Sequence, residues 1–169
     1  MHTQRSENEV ITGCYVCIVR PDPIYSAEKR MKVTVEQNNI HWEAAHALVQ
    51  VAVRRAEELK GRVNVAVVDS GGHLAAFLRM PGSAFHSVDV AVDKAYTAMS
   101  FGMPTSKWGD VMDTLSVPCK TGLPGVDRVM TCGGGVPIEV DGRRIGAIGV
   151  SGATEQQDEE IAEYALSIL

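Results

Sequence analysis

The sequence has 169 residues, of which 45% are hydrophobic and 5% aromatic, so it suits one domain with a largely aliphatic core. The formal net charge of −5 at pH 7 excludes the basic face typical of nucleic-acid-binding proteins. No apolar run approaches the roughly 20 residues that span a bilayer, and four cysteines are too few for a disulfide scaffold.

The first thirty residues differ in pattern from the rest of the chain. An apolar run over 10–19 lacks the basic start and small-residue cleavage site of a secretory signal, and the prolines at 21 and 23 break any regular element. We interpret 1–30 as an N-terminal extension, disordered or arising from a misassigned start, and 31–169 as the domain. Cys14 and Cys17 have the spacing of a zinc or thiol-redox site, but without a second pair incidental cysteines are the better interpretation.

Helical periodicity alternates with two hairpin signals along the domain. Residues 39–60 place small and apolar side chains every three to four positions and predict a helix with an apolar stripe, made of His41, Ala45, Leu48, Ala52, Ala56 and Leu59. Asn38 or Asn39 is the expected cap. Two short apolar runs, 63–69 and 73–80, flank Ser70, Gly71 and Gly72, a pattern typical of a β-hairpin.

In the second half of the domain, helical periodicity is again followed by a hairpin signal. Residues 84–101 predict a helix whose stripe of small side chains permits close packing, and a short helix follows from Pro104 to Thr114. Residues 115–133 are expected to be irregular. Asp141 and Gly142 predict the turn of a second hairpin, and a capping box starting at Thr154 begins a final helix.

Because hairpins supply the strands, the sequence predicts an α+β fold. We expect a single domain with a central antiparallel sheet built from hairpins and helices packed on it. The whole charge excess lies in residues 154–169, which contain five acids and no lysine or arginine. We interpret these acids as one solvated helix face.

No single chemical motif identifies a site. None of the five histidines forms a metal-binding helix pair. His41 is predicted in the packed stripe, His46 in solvent or a subunit contact, and His73 at the mouth of the first hairpin.

A lysine and a glycine run are weaker candidates for a binding site. Lys94 is either a snorkelling surface lysine or a partly buried cation that fixes an anionic ligand group. The run of Gly133, Gly134 and Gly135 leads into a strand, whereas a phosphate loop leads into a helix. A nucleotide-binding loop is therefore not predicted at these glycines.

Five ordered segments together resemble the GlcG/HbpS-like family of small haem-binding proteins, which includes the C-terminal domain of PduO-type cobalamin adenosyltransferases. The segments are 67–74, 79–80, 93–98, 133–138 and 146–152. The resemblance covers about 32–169. It implies an α+β domain that forms homo-oligomers. It also implies binding of haem, or of a corrinoid as the less favoured ligand, and in some members degradation of haem with release of iron. Because secreted members carry a signal peptide and none is convincing here, we expect a cytoplasmic protein that binds neither nucleic acid nor membrane.

The matching segments do not transfer the family's haem ligand to this chain, because they are largely glycine and backbone features, but a histidine nitrogen is the expected ligand of a bound haem iron. His73, inside a matching segment, is the preferred ligand of the haem iron, with His46 and His41 as rivals. Apolar residues would line the macrocycle (Leu74, Phe77 or Met80), and basic residues would pair with propionates (Lys94, Arg79 or Arg143).

A second hypothesis is an enzyme or accessory protein of a catabolic operon that acts on glycolate, a diol or a related small molecule without haem. Its site would lie around two glycine clusters, where backbone N–H groups can reach a carboxylate; these are Gly71 and Gly72 beside His73, and Gly133, Gly134 and Gly135. His73 and Lys94 would then be the acid–base and anion-pairing groups. A purely structural oligomer subunit is the third alternative.

Overall fold

Within the part of the chain that the structure describes, two hairpins supply the four strands of one antiparallel sheet. The computed structural model describes residues 32–169, so the predictions for 1–30, including the Cys14–Cys17 pair, lie outside the described residues. The chain divides into two units, 1–35 and 36–169, and all the helices and strands described here belong to the second. The strands, in the order β2-β1-β4-β3, are β1 Asn64–Asp69, β2 Leu74–Arg79, β3 Gly135–Val140 and β4 Arg143–Ser151.

The register of the central pair brings both hairpin turns to one end of the sheet. β1 runs antiparallel to β4, from Asn64 opposite Ser151 to Asp69 opposite Gly146. The carboxyl end of β1 leads into the first turn, and the amino end of β4 follows the second turn. We call this end of the sheet the tip end, because residues 70–72 and 141–142 meet there.

Five helices between residues 32 and 169 complete the predicted α+β architecture, which the structure confirms. They are α1 Trp42–Glu58, α2 Ser87–Phe101, α3 Trp108–Thr114, α4 Val117–Gly122 and α5 Glu155–Leu166. α4 and a 3-10 turn, Leu123–Gly125, lie within the stretch expected to be irregular. In the part of the chain that the structure describes, no helix combines the length and apolarity needed to cross a bilayer.

The sheet has a layer of helix on each face. α1 and α5 cover one face and bury large aliphatic side chains against it, among them Leu48, Ile148 and Ile161. α2 covers the other face with small side chains, where Ala95 and Ala98 form a buried cluster with Val68 and Ala147 of the sheet. The predicted stripe of small residues on α2 is therefore the surface that packs on the sheet.

Two details of the helices correct the sequence predictions. His41 is not part of the packed stripe, because α1 begins at Trp42 and His41 is its exposed N-cap, accepting a hydrogen bond from the Glu43 N–H at 3.4 Å. The capping box at Thr154 is confirmed. The acids of α5 do not all form a solvated face, because Asp158 is buried with 3% of its surface exposed.

Candidate ligand site at the hairpin tips

A cavity of about 950 Å³ opens at the tip end of the sheet. Three walls enclose it: the segment before α1, the first hairpin turn with the neighbouring part of α2, and the second hairpin. Its lining residues are Glu36, Gln37, Asn38, Ser70, Gly71, Gly72, Tyr96, Met99, Ser100, Glu139, Gly142, Arg143 and Arg144. This volume is within the range of small-molecule sites.

Backbone hydrogen bonds hold the segment before α1 across the tip end. The Ile40 N–H donates to the carbonyl oxygen of Ile145 at 2.9 Å, which ties the segment to β4. The Ser70 N–H donates to the Asn39 side-chain oxygen at 3.0 Å, which ties it to the first turn. Asn39 thus joins this turn to the segment, and the N-cap of α1 is His41 in place of the predicted asparagine.

The carboxylate of Asp69 organises the first turn. Its Oδ1 accepts the backbone N–H groups of Gly71 at 2.8 Å and His73 at 2.9 Å, and lies 3.2 Å from the imidazole Nδ1 of His73. Partial burial opposes ionisation of Asp69, but these hydrogen bonds from His73 and Gly71 outweigh it and hold the pKa of the carboxyl below its usual value.

The ring of His73 is oriented and accessible. Its side chain is 82% exposed, and the ring folds back over Gly71, where a β-carbon would lie 2.8 Å from the imidazole. Because Nδ1 faces Asp69, Nε2 is left toward solvent, and a carboxylate behind the imidazole is the usual support of a metal-ligating histidine. Since Gly71 lines the cavity, His73 stands at the cavity rim.

Tyr96 of α2 forms the wall behind the first turn. Gly72 has φ of +78°, and a β-carbon there would lie 2.7 Å from the Tyr96 ring, so only glycine fits this contact. The guanidinium of Arg128 stacks on the same ring, 3.6 Å from its centroid, and is held by Asp93 at 3.0 Å. The Tyr96 ring is therefore fixed between the turn and a cation.

Two arginines from the second hairpin contribute positive charge to the cavity. Arg144 is held in place, since its Nη1 donates to the carbonyl oxygen of Met99 at 3.0 Å and its Nε lies 3.8 Å from Glu139. The Arg143 side chain is exposed and, among residues 32–169, neither forms an ion pair nor donates a hydrogen bond. The guanidinium of Arg143 is thus free to meet a ligand.

Lys94 occupies a different environment from the cavity. It is buried, with 3% of its surface exposed, so the prediction of a snorkelling surface lysine is wrong. Its Nζ donates to the Asp158 carboxylate at 2.9 Å and to the carbonyl oxygen of Val150 at 3.0 Å. Because the ammonium is already paired within the fold, the structure gives it no route to a propionate or another ligand anion.

The predicted glycine run Gly133, Gly134 and Gly135 is also separate from the cavity lining, and all three residues are buried. The Gly133 N–H donates to the Glu155 carboxylate at 2.5 Å, and the Gly135 N–H donates to the Thr105 hydroxyl at 2.9 Å. These two donors are used inside the fold, so they cannot bind a ligand carboxylate as the sequence suggested.

Gly134 has a structural role in place of the predicted binding role. Its φ is +114°, and a β-carbon there would lie 2.6 Å from the Val150 carbonyl oxygen and 2.9 Å from the Lys94 Nζ. Its own carbonyl oxygen accepts the Val150 N–H at 2.8 Å. Glycine is therefore required at position 134 so that the chain can pass close to β4 and the buried ammonium. Of the two predicted glycine clusters, the one made of Gly71 and Gly72 lies at the site.

The remaining predicted site residues are spread over the molecule. Arg79 is the last residue of β2, whereas His73 precedes the strand, so about 20 Å of strand separates the two residues. The Arg79 guanidinium stacks on Phe85 and donates to the Ser83 carbonyl oxygen. Met80 belongs to the buried core and cannot line a macrocycle. His46 is exposed on α1, where its Nε2 lies 2.9 Å from the Gln50 side-chain nitrogen.

Sequence reasoning missed three residues of the site: Asp69, Tyr96 and Arg144. Asp69 had a local signal, because an aspartate four residues before a histidine, with two glycines between them, predicts a turn in which the carboxylate accepts both backbone N–H groups. Tyr96 and Arg144 had no such local turn signal, because their positions in the site depend on how α2 and the second hairpin meet the first turn.

Comparison with known proteins identifies the family of this fold. A family model described as haem degrading protein HbpS-like matches residues 40–167. The chain belongs to the HbpS-like family. Its HbpS-like relatives include an uncharacterised 15.0 kDa protein from the dhaT-dhaS intergenic region of Citrobacter freundii, 35% identical over 73% of this chain and 87% of the relative.

Two solved structures share the HbpS-like fold. The crystal structure of HbpS has a TM-score of 0.75 and 30% identity, covering 83% of this chain and 97% of its own. The crystal structure of a PduOC–haem complex has a TM-score of 0.71 and 32% identity, covering 78% of this chain and 95% of its own.

Proposed function

We propose that this HbpS-like protein binds haem and that His73 ligates the haem iron. The observation that carries the proposal is the likeness to the PduOC–haem complex, which is 32% identical and covers 78% of this chain. Bound haem supplies an iron centre that accepts a neutral imidazole nitrogen as axial ligand.

The residues around His73 suit such a group. The Asp69 carboxylate, 3.2 Å from Nδ1, favours the tautomer that carries its proton on Nδ1 and leaves Nε2 as the metal-binding atom. Leu74 and Phe77 follow His73 in β2 and are 53% and 36% exposed. Exposed apolar side chains beside an oriented histidine offer a macrocycle surface from which water is excluded.

The rival histidines have weaker support. The Nδ1 of His41 accepts the Glu43 N–H and is 3.6 Å from the Glu43 carboxylate, with both side chains about two-thirds exposed. The His46 ring is hydrogen-bonded to an amide side chain one turn along α1. Among the described residues, neither ring has a partly buried carboxylate behind it as His73 does.

A haemin titration of the full chain tests the proposal. For the wild type we expect a shifted Soret band that saturates at one haem per chain. For His73→Ala we expect a Soret band at a different position and at least tenfold weaker binding, because the iron ligand is lost. The matched control is His86→Ala, since His86 is exposed and its side chain makes no capping hydrogen bond.

Each failure has a separate meaning. Absence of a shifted band at stoichiometric haemin would contradict haem binding itself. An unchanged band in His73→Ala, together with loss in His41→Ala or His46→Ala, would move the ligand to α1. Aquocobalamin titrated in place of haemin tests the corrinoid alternative, for which we expect weaker binding.

We also propose that the protein forms homo-oligomers. β2 is an edge strand of the sheet with exposed Leu74, Phe77 and Leu78, and exposed apolar edge strands favour association. Light scattering of the same samples measures the number of chains per particle.

A further inference from the structure

The cavity at the hairpin tips carries charges that the haem proposal does not use. Its lining contains two arginines, Arg143 and Arg144, and two glutamates, Glu36 and Glu139. Glu139 lies 3.8 Å from Arg144, so that pair is partly neutralised. Within residues 32–169 Arg143 has no carboxylate partner, so its guanidinium can hydrogen-bond to a ligand, and Glu36 balances its formal charge within the lining.

The walls around this guanidinium are held in fixed positions. Arg144 is anchored to the Met99 carbonyl, Tyr96 is fixed by Arg128 and Gly72, and Ser70 is anchored to Asn39. Because the lining is already ordered by its own contacts, a ligand does not have to order it on binding.

We propose that this cavity binds a carboxylate group through Arg143. A guanidinium binds a carboxylate through two parallel hydrogen bonds, the geometry that arginine favours. A phosphate dianion fits less well, because Glu36 and Glu139 line the same cavity and repel the second negative charge. Because the two arginines and two glutamates of the lining balance in formal charge, the carboxylate is recognised by its paired hydrogen bonds with Arg143 and not by an excess of positive charge.

Two sources can supply that carboxylate. His73 stands at the cavity rim, so a propionate of haem ligated there can enter the cavity; this part of the inference rests on the proposed function. A free organic acid can also fill the cavity without haem, and this part is independent of it. The shared chemistry is a carboxylate bound by Arg143, and two arms of one experiment separate the sources.

The first arm uses butyrate, a small monocarboxylate, titrated into the haem-free full chain and followed by calorimetry. The second arm compares haemin with haemin dimethyl ester, which has the same macrocycle without carboxylates. Both arms are run on the wild type, on Arg143→Gln and on Arg54→Gln. Arg54 is an exposed arginine of α1 that does not line the cavity, so its substitution is the matched control.

We expect Arg143→Gln to weaken binding at least tenfold in one arm or both, because the charged two-bond contact with the carboxylate is lost, and Arg54→Gln to leave it unchanged. An Arg143-dependent preference of haemin over its ester supports the propionate source. Arg143-dependent butyrate binding that exceeds the binding of inorganic phosphate supports the free acid.

The inference is overturned if butyrate shows no Arg143-dependent binding and the difference between haemin and its ester, where haemin binds, does not depend on Arg143. A missing Soret shift combined with Arg143-dependent butyrate binding would instead contradict only the haem proposal. Circular dichroism of each variant confirms that it is folded, which is expected because Arg143 is exposed beside a turn.

Discussion

At the scale of single residues, Asp69 determines the geometry of the candidate site. One carboxylate oxygen receives the N–H groups of Gly71 and His73 and faces the His73 imidazole. The turn conformation and the orientation of the ring therefore depend on the same charge. Loss of that charge weakens the turn and leaves the imidazole free to rotate away from the cavity rim.

The lowered pKa of Asp69 gives the protein a specific pH dependence. Because the folded-state pKa lies below the unfolded value of about 3.9, the charge stabilises the fold above that value, and this stability is lost as pH falls through the folded pKa. Asp69→Asn should cost about 1 kcal/mol at neutral pH, and the deficit relative to wild type should shrink below about pH 4.

Urea unfolding of both proteins between neutral and acid pH measures this difference. Asp141→Asn is the matched control, because Asp141 is exposed at the second turn and, within the described chain, makes no side-chain hydrogen bond. A deficit in Asp69→Asn that stays constant down to pH 3 would show that the charge itself contributes nothing.

At the scale of the elements, the close approach of helix α2 to the sheet depends on a glycine in β4. Gly149 of β4 lies directly under the backbone of α2, and a β-carbon there would overlap the Ala91 carbonyl oxygen and lie 2.6 Å from the Ala95 nitrogen. Neither backbone atom can move without displacing the helix. The approach of α2 to the sheet is thus set by a missing side chain together with the alanines of the helix.

Gly149→Ala should therefore destabilise the protein by about 3 kcal/mol, the upper end of the usual cost of overpacking a core. Gly109→Ala is the matched control, because nothing lies within 4 Å of a β-carbon at Gly109 in α3 and alanine favours a helix by up to about 1 kcal/mol over glycine. Free energies of unfolding in urea provide the comparison. Equal stabilities for the two variants would contradict the close approach of α2.

At the scale of the whole molecule, the Lys94–Asp158 ion pair connects layers on opposite faces of the sheet. Lys94 belongs to α2 and Asp158 to α5, both are about 3% exposed, and Nζ also donates to Val150 of β4. Asp158 further accepts the Ala153 N–H at 3.0 Å. Removal of either partner leaves the other charge buried without compensation.

A double-mutant cycle measures this connection. We expect Lys94→Met or Asp158→Asn alone to cost about 3–5 kcal/mol and the double variant to recover part of the loss. The control cycle uses the exposed pair Lys120 and Asp113, 4.0 Å apart, whose coupling should be below about 1 kcal/mol. Additive costs for Lys94 and Asp158 would show that the two residues act separately.

The fold was predictable from sequence to the extent that its signals are local. Turn residues such as Asp141 and Gly142 predict hairpins, and hairpins predict an antiparallel sheet. His73 could be selected within a matching segment, but its cavity could not, because the register of β1 with β4 and the hydrogen bonds of Asn39 and Ile40 bring residues 36–38, 70–72 and 143–144 together. Lys94 and Asp158 are 64 positions apart, so no local pattern could reveal their pairing.

This ion pair lies at one end of the sheet, and the candidate site lies at the other. Val150, which accepts from Lys94, lies near the carboxyl end of β4, whereas the two turns lie beyond its amino end. The buried pair joins both helical layers at one end of the sheet, so we expect amide hydrogens there to exchange through global unfolding and those of the exposed turns through local opening. Because a ligand that binds only the folded state also slows global unfolding, binding at the tips should slow hydrogen exchange around Val150 as well as in the turns.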